Sequence, residues 1–140
     1  MEFFSSLVTK PEIEILLDEI EGRKRHTYKD KKGENCKMVT YYDRENVSGK
    51  IVINLNKAKK LEHTGIRVEL IGAIEHHQDK KNISKFISLT RDLEPPGILT
   101  NEVTQIPFKF TNVEKQYETY MGNNNQVRYF LIVDIIFLLQ

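Results

Sequence analysis

The strongest rhythm along the chain is a period of two. Directly after Pro11, apolar Ile13, Ile15 and Leu17 alternate with Glu12, Glu14 and Leu16, the pattern of a strand with one face against a core. MVTYY, residues 38–42, reads as a second strand, rich in residues that suit a pleated surface. In a third, Ile51, Ile53 and Leu55 alternate with Lys50, Asn54 and Asn56, and Gly49 marks a bulge or bend near its start. Ile66, Val68 and Leu70 alternate with Arg67 and Glu69 in a fourth that runs on through Ile74. Further strands are expected from Phe86 to Leu89, around Ile106, Phe108 and Phe110, and from Val127 onward. No long stretch carries the helical period. Seven short strands between turn signals predict an all-β sandwich of immunoglobulin-like type.

The connections agree with that reading. PPGILTN from Pro95 and MGNNNQ from Met121 are rich in Pro, Gly and Asn, which favour turns and exclude helix interiors. VEKQYETY, Val113 to Tyr120, has no clear period and fits a helical turn or a crossing connection. Neither an internal repeat nor a low-complexity linker divides the 140 residues, so one domain is expected.

Composition narrows the function classes. Charged residues make up 29 % of the chain but the net charge is only +1, so no whole-chain field draws it to nucleic acid or a membrane. The single cysteine, Cys36, allows no internal disulfide and too few thiols for a structural zinc site, which fits a reducing, cytoplasmic setting. MEFFSSLVTKPEIEI lacks the basic and apolar regions of a signal peptide. Without one, the sequons at Asn46 and Asn82 carry no weight. LIVDIIFLLQ at the C-terminus is too short to span a bilayer and contains Asp134. Its unbroken apolar run from Ile135 to Leu139 reads as a buried strand or as the lead into more protein.

Catalytic chemistry finds little support. The adjacent His76 and His77 would point to opposite faces of a strand, whereas metal-ligating histidines on a strand sit two apart; a polar strand end or turn explains them. There is no GxSxG elbow and no phosphate-binding glycine loop. Glu62 and His63 are neighbours in sequence, but a serine or cysteine nucleophile must still meet them in space. His63 is therefore read as a surface or turn histidine ahead of a strand. No cofactor is expected.

The local charge anomaly is GRKRHTYKDKKGENCK, Gly22 to Lys37. Seven basic residues stand there against Asp30 and Glu34, a net of +5. A protruding hairpin carrying Arg23, Lys24, Arg25, Lys29, Lys31 and Lys32 would suit anionic lipid or an acidic partner. A solvated loop that keeps strand edges from aggregating explains the same charges.

Four blocks carry a wider resemblance: YYDRENVSGKI from Tyr41, KKLEHTGIRVELIGAIE from Lys59, PPGILT from Pro95 and VEKQYETYMGNNNQVRYFLIV from Val113. In this order, and spanning about Glu12 to Val133, they resemble the arrestin-like subunit of retromer, the vacuolar protein sorting 26 family. The resemblance implies an arrestin fold of two β-sandwich lobes, with residues 1–140 forming the N-terminal lobe and the second lobe absent. It also implies a non-catalytic adaptor in endosomal sorting and retrograde transport of membrane-protein cargo from endosomes to the Golgi, held peripherally on endosomal membranes. The implied partners are the retromer solenoid subunit (through the second lobe), sorting nexins and the cytoplasmic tails of cargo. Asp43 matches the aspartate that faces the groove where a sorting nexin docks a β-hairpin; an ordinary turn residue is the simpler account.

Two departures from the family pattern are Gln116, where a proline is usual, and the ending IFLLQ, where polar and basic residues would lead into the second lobe. The ending suggests a truncated chain. A related subunit of the retriever complex, or another arrestin-like trafficking adaptor, fits the same residues. From a different class, so does a small β-sandwich hydrolase or lectin-like domain using carboxylates such as Glu62 or Glu69.

Overall fold

A computed structural model describes residues 11–19, 21–29, 35–76, 79–122 and 125–136. The described chain is all β. Its strands are β1 (Glu12–Leu17), β2 (Arg25–Lys29), β3 (Asn35–Val39), β4 (Val47–Asn54), β5 (Leu61–His63), β6 (Gly65–His76), β7 (Asp79–Glu94), β8 (Gly97–Leu99), β9 (Val103–Phe110), β10 (Tyr120–Met121) and β11 (Asn125–Ile136). Two antiparallel sheets form the sandwich: one in the order β1-β4-β9, the other in the order β10-β11-β6-β7. Two small pairs flank them, β2 with β3 and β5 with β8.

Alternation decides which residues go inside. On β4, Val47, Ile51 and Ile53 are buried; on β9, Ile106, Phe108 and Phe110; on β6, Ile66, Val68 and Leu70. These nine residues meet with Leu55, Leu61 and Val113 in one core. Because side chains along a strand point alternately to opposite faces, β4, β6 and β9 bury their apolar sets together once the register is set. The registers achieve this by pairing Ile51 with Ile106 and Leu70 with Leu131. Enclosing a Leu, Ile or Phe side chain contributes about 1.5–3 kcal/mol, so this cluster dominates the stability of the fold.

Several sequence expectations need correction. The second strand is expected at residues 38–42, but the strand is Asn35–Val39, and Thr40, Tyr41 and Tyr42 lie outside it. β3 pairs with β2, and Lys24 and Thr40 close that ladder through a 2.9 Å backbone hydrogen bond. β7 is 16 residues long where the sequence predicts a short strand around Phe86. Irregularities in its pairing with β6 at Ile66/Arg67, Gly72/Ala73 and Glu75/His76 shift the register, and this breaks the strict alternation along β7 that would have marked its full length.

Gly49 is not a bulge, since it pairs in register with both Leu17 and Phe108. A Cβ there would lie 2.3 Å from the carbonyl oxygen of Leu16, so glycine is required by the close approach of β1. The lysine-rich segment after β4 contains the short strand β5, whose Leu61 and His63 are buried. Residues 113–119 contain no helical turn; they form an irregular connection running to β10.

Candidate partner-binding site

Asp43 lies in the connection between β3 and β4, at the tip of a tight turn. The Glu45 N–H donates to the Tyr42 carbonyl at 3.2 Å, and Arg44 takes a left-handed backbone (φ 68°). Glu45 folds back to brace this turn: its Oε2 accepts the Tyr42 N–H at 2.6 Å and Arg23 Nη1 at 2.9 Å. The Arg23 guanidinium also donates to the Thr40 carbonyl at 3.2 Å and lies 4.2 Å from the centre of the Tyr41 ring.

The turn is laced to the connection after β9. The Arg44 N–H donates to the Val113 carbonyl at 2.8 Å, and the Val113 N–H to the Glu45 carbonyl at 3.2 Å. Asn46 Oδ1 accepts the Asn112 N–H at 2.8 Å, and Asp43 Oδ1 accepts the Lys115 N–H at 2.7 Å. Lys115 Nζ completes the lacing by donating to the carbonyls of Tyr42 (2.9 Å) and Val113 (3.3 Å). Val113, 1 % exposed, pins this second loop to the core. The adjoining backbone is gripped at Tyr117, whose carbonyl accepts the Tyr129 hydroxyl at 2.6 Å and whose ring meets Phe86 edge-on at 4.9 Å. Gly72 leaves room for that packing, because a Cβ there would lie 2.6 Å from the Phe86 ring.

Titration behaviour follows from these contacts. The hydrogen bond from Arg23, then that from the Tyr42 backbone, hold the Glu45 carboxyl below its ordinary range, and the same pair raises Arg23. Burial pushes the Tyr41 and Tyr129 hydroxyls up and Lys115 down, the last against the opposing pull of Asp43 and Glu45. What remains on the outside is a mixed surface: exposed Tyr42, Asp43, Arg44, Glu114, Tyr117 and Tyr120 on braced backbone. Arg44 Nη2 lies 3.6 Å from Glu114, and Arg44 Nε 3.9 Å from Asp43 Oδ2. A tyrosine-rich, charged surface on fixed backbone is suited to recognising another protein.

The basic residues read together in the sequence separate here. Arg23 faces inward, and its charge is taken up by Glu45, so it is not part of an outward basic face. Lys24 and Arg25 are exposed at the start of β2. Lys29 ends β2 opposite Asn35, while Lys31 and Lys32 lie outside the described residues. The sequence carried no signal for the way Glu45, Lys115 and Arg23 tie separate segments together, because the contacts that do so join residues 17–73 positions apart.

His63 is neither a surface nor a turn residue. It is 6 % exposed within β5, opposite Gly97, and its Nδ1 has no hydrogen-bond partner among the described residues. The side chain of Glu62 points outward, 3.4 Å from Lys60 Nζ, so Glu62 and His63 do not converge. Glu69 accepts a hydrogen bond from Ser88. His76 ends β6; His77 lies outside the described residues. Among the described residues no cluster of three or more His, Cys, Asp or Glu side chains is placed to hold a metal, and no helix is long and apolar enough to cross a membrane.

Fold and surface together define an arrestin-like β-sandwich. The sporulation control protein Spo0M of Bacillus subtilis has a similar fold: TM-score 0.52 at 12 % identity, covering 93 % of this chain and 49 % of that one. The family model for vacuolar protein sorting-associated protein 26 matches residues 7–139, and the chain belongs to that family.

Among its relatives, the vacuolar protein sorting-associated protein 26B of Mus musculus is 47 % identical over 121 residues, covering 86 % of this chain and 36 % of that protein. The Caenorhabditis elegans protein 26 is 48 % identical over 126 residues, covering 89 % and 35 %. The Dictyostelium discoideum protein is 44 % identical over 137 residues, covering 96 % and 39 %. The chain thus spans little more than a third of the length of these relatives.

Proposed function

We propose that this chain is the N-terminal lobe of an arrestin-like retromer subunit, a non-catalytic adaptor in endosomal sorting and retrograde transport of membrane-protein cargo. The observation that carries the reading is the family match across residues 7–139, with relatives named for vacuolar protein sorting. The lobe acts by presenting rigid surfaces to partners and is brought to endosomal membranes through them. The solenoid subunit is engaged by the second lobe of the whole protein, and sorting nexins and cargo tails by this one. The test is recovery from cell extract by the chain joined to a second lobe. Capture of the solenoid subunit is expected; its absence, where a full-length relative captures it, refutes the assignment.

Asp43 is the proposed sorting-nexin contact. One carboxylate oxygen is committed to the Lys115 N–H, and the other is met at 3.9 Å by Arg44 alone among described contacts, which leaves acceptor capacity facing solvent. Asp43→Asn keeps an oxygen for Lys115 and removes the charge. Sorting-nexin affinity should fall about tenfold with the fold intact, the size of one charge-assisted hydrogen bond; an unchanged affinity removes Asp43 from the interface. For the hairpin, exposed Lys24 and Arg25 with Lys29, Lys31 and Lys32 supply a contact for anionic lipid. Its liposome binding weakens as salt rises, and charge reversal at Lys31 and Lys32 without effect would refute it.

A further inference from the structure

The two edges of the three-stranded sheet are finished differently. At one edge, the inward residues of β9, Ile106, Phe108 and Phe110, are at most 5 % exposed. At the other, β1 directs Ile13 and Ile15 to the same face as their register partners Ile53 and Ile51. Ile53 and Ile51 are fully enclosed, yet Ile13 is 42 % exposed, and Ile15 and Leu17 are half-buried.

The opposite sheet repeats the difference. β9 lies against β7, so the strand order places β1 toward β11. There the inward Leu131, Val133 and Ile135 are half-buried, whereas Ile66, Val68 and Leu70 on neighbouring β6 are buried. Among the described residues, cover is therefore missing along one flank, between β1 and β11. The free edges also differ in chemistry. β9 carries Pro107 and Lys109, both of which discourage a further strand. β1 contains no Pro, Gly or Lys, and among the described residues it pairs with β4 alone. On its outer face Glu12 and Glu14 are exposed.

We propose that β1 is an acceptor edge, taking an extended segment of another protein as an added strand. The backbone N–H and C=O groups of the free edge pair with the incoming segment. Apolar side chains at its alternate positions close the flank between β1 and β11, and basic side chains at the intervening positions lie beside Glu12 and Glu14, where opposite charges favour the pairing. A second copy of this chain is the competing occupant: β1 laid antiparallel on β1 about Ile13 or Glu14 sets glutamate against glutamate, whereas centring on Ile15 does not, and the dimer outcome of the test separates the two. This surface is distinct from the turn at Asp43, and the inference holds whichever complex the lobe joins.

The probe is a short peptide alternating valine and lysine, titrated into the 140-residue chain and followed by amide shifts and hydrogen exchange at residues 12–17. Saturable binding that protects alternate amides of this strand is expected. Binding should weaken about tenfold when the peptide lysines become glutamates, or when the chain carries Glu12→Lys and Glu14→Lys, and the two changes together should restore it. Binding that leaves these amides unprotected, or that ignores both charge reversals, overturns the proposal. So does protection of the same amides in the free monomer, which means the edge is already covered, or their protection in a concentration-dependent dimer. The peptide is no component of a trafficking complex, so failure here leaves the adaptor assignment standing.

Discussion

The sandwich core and the laced loops around Asp43 are stabilised by opposite means. In the core, Phe110, Ile51 and Val68 are fully enclosed and the cluster they belong to is built of apolar side chains; its strength is area removed from water, and its specificity is the register of β4, β6 and β9. In the loops, stability comes from particular donors and acceptors: Asp43 and Asn46 side chains on backbone N–H groups, the Lys115 ammonium on two carbonyls, and Glu45 on both Arg23 and Tyr42. A core of this kind tolerates conservative exchange of one apolar residue for another. The laced loops depend instead on particular donors and acceptors, so exchanging one of those side chains alters the shape they hold. The loops can thus hold an exposed surface in one shape without burying it.

The sharpest way to test that contrast is to empty the core. Phe110→Ala should cost about 3–5 kcal/mol in chemical denaturation, a large part of the stability of a domain this size, with the whole lobe unfolding together. Next in size, Arg23→Ala should cost about 1–2 kcal/mol, by loss of the charged hydrogen bond to Glu45 and of the stacking on Tyr41. Its effect should be concentrated in faster hydrogen exchange at residues 40–46 and 112–115, with amides of β4 and β6 unchanged. If exchange accelerates equally in the core, the loops are not a separate unit.

A smaller effect is expected from pH. Glu45 has a lowered folded-state pKa, so its contribution is complete above the ordinary carboxylate value of about 4.3 and is lost as pH falls through the lower folded value. Glu45→Gln should therefore flatten the acid limb of the stability profile below about pH 4, leaving the neutral region merely shifted. An identical acid slope in wild type and variant would remove the Arg23–Glu45 pair as its source. The least effect should come from His63→Leu. His63 is a polar residue placed among the core's neighbours, with an unpartnered Nδ1, and replacing an unsatisfied buried group by an apolar one is close to neutral. A change in either direction within about 1 kcal/mol is expected; a larger loss would mean that the imidazole makes a bond essential to the β5–β8 pair.

Much of the fold was legible along the chain, and the reason is local. Period-two alternation from Ile51 to Leu55, from Ile66 to Leu70 and from Ile106 to Phe110 records which face of each strand is buried, so those strands and the sandwich could be read directly. Reading failed at β7, where irregular pairing breaks the alternation, and at the bounds of β3, although the basic stretch it belongs to was read as a hairpin and pairs as one. The family resemblance was legible too, since it rests on blocks of sequence; Asp43 was read as a turn residue from the turn preference of aspartate.

What the linear order could not contain was which polar groups meet. Asp43 and Lys115 are 72 positions apart, and Arg23 and Glu45 are 22; no periodicity relates them, and a lysine that clamps two carbonyls looks like any surface lysine. Basic residues adjacent in sequence were separated in the same way, Arg23 turning inward while Lys24 and Arg25 stay exposed. His63 moved from surface to interior because β5 pairs with distant β8 and turns Leu61 and His63 to its buried face. Alternation is imprinted by one residue's own burial and survives in the sequence. Pairing between distant polar groups, and the unequal cover of the β1 and β9 edges, exist only once two sheets have been brought face to face.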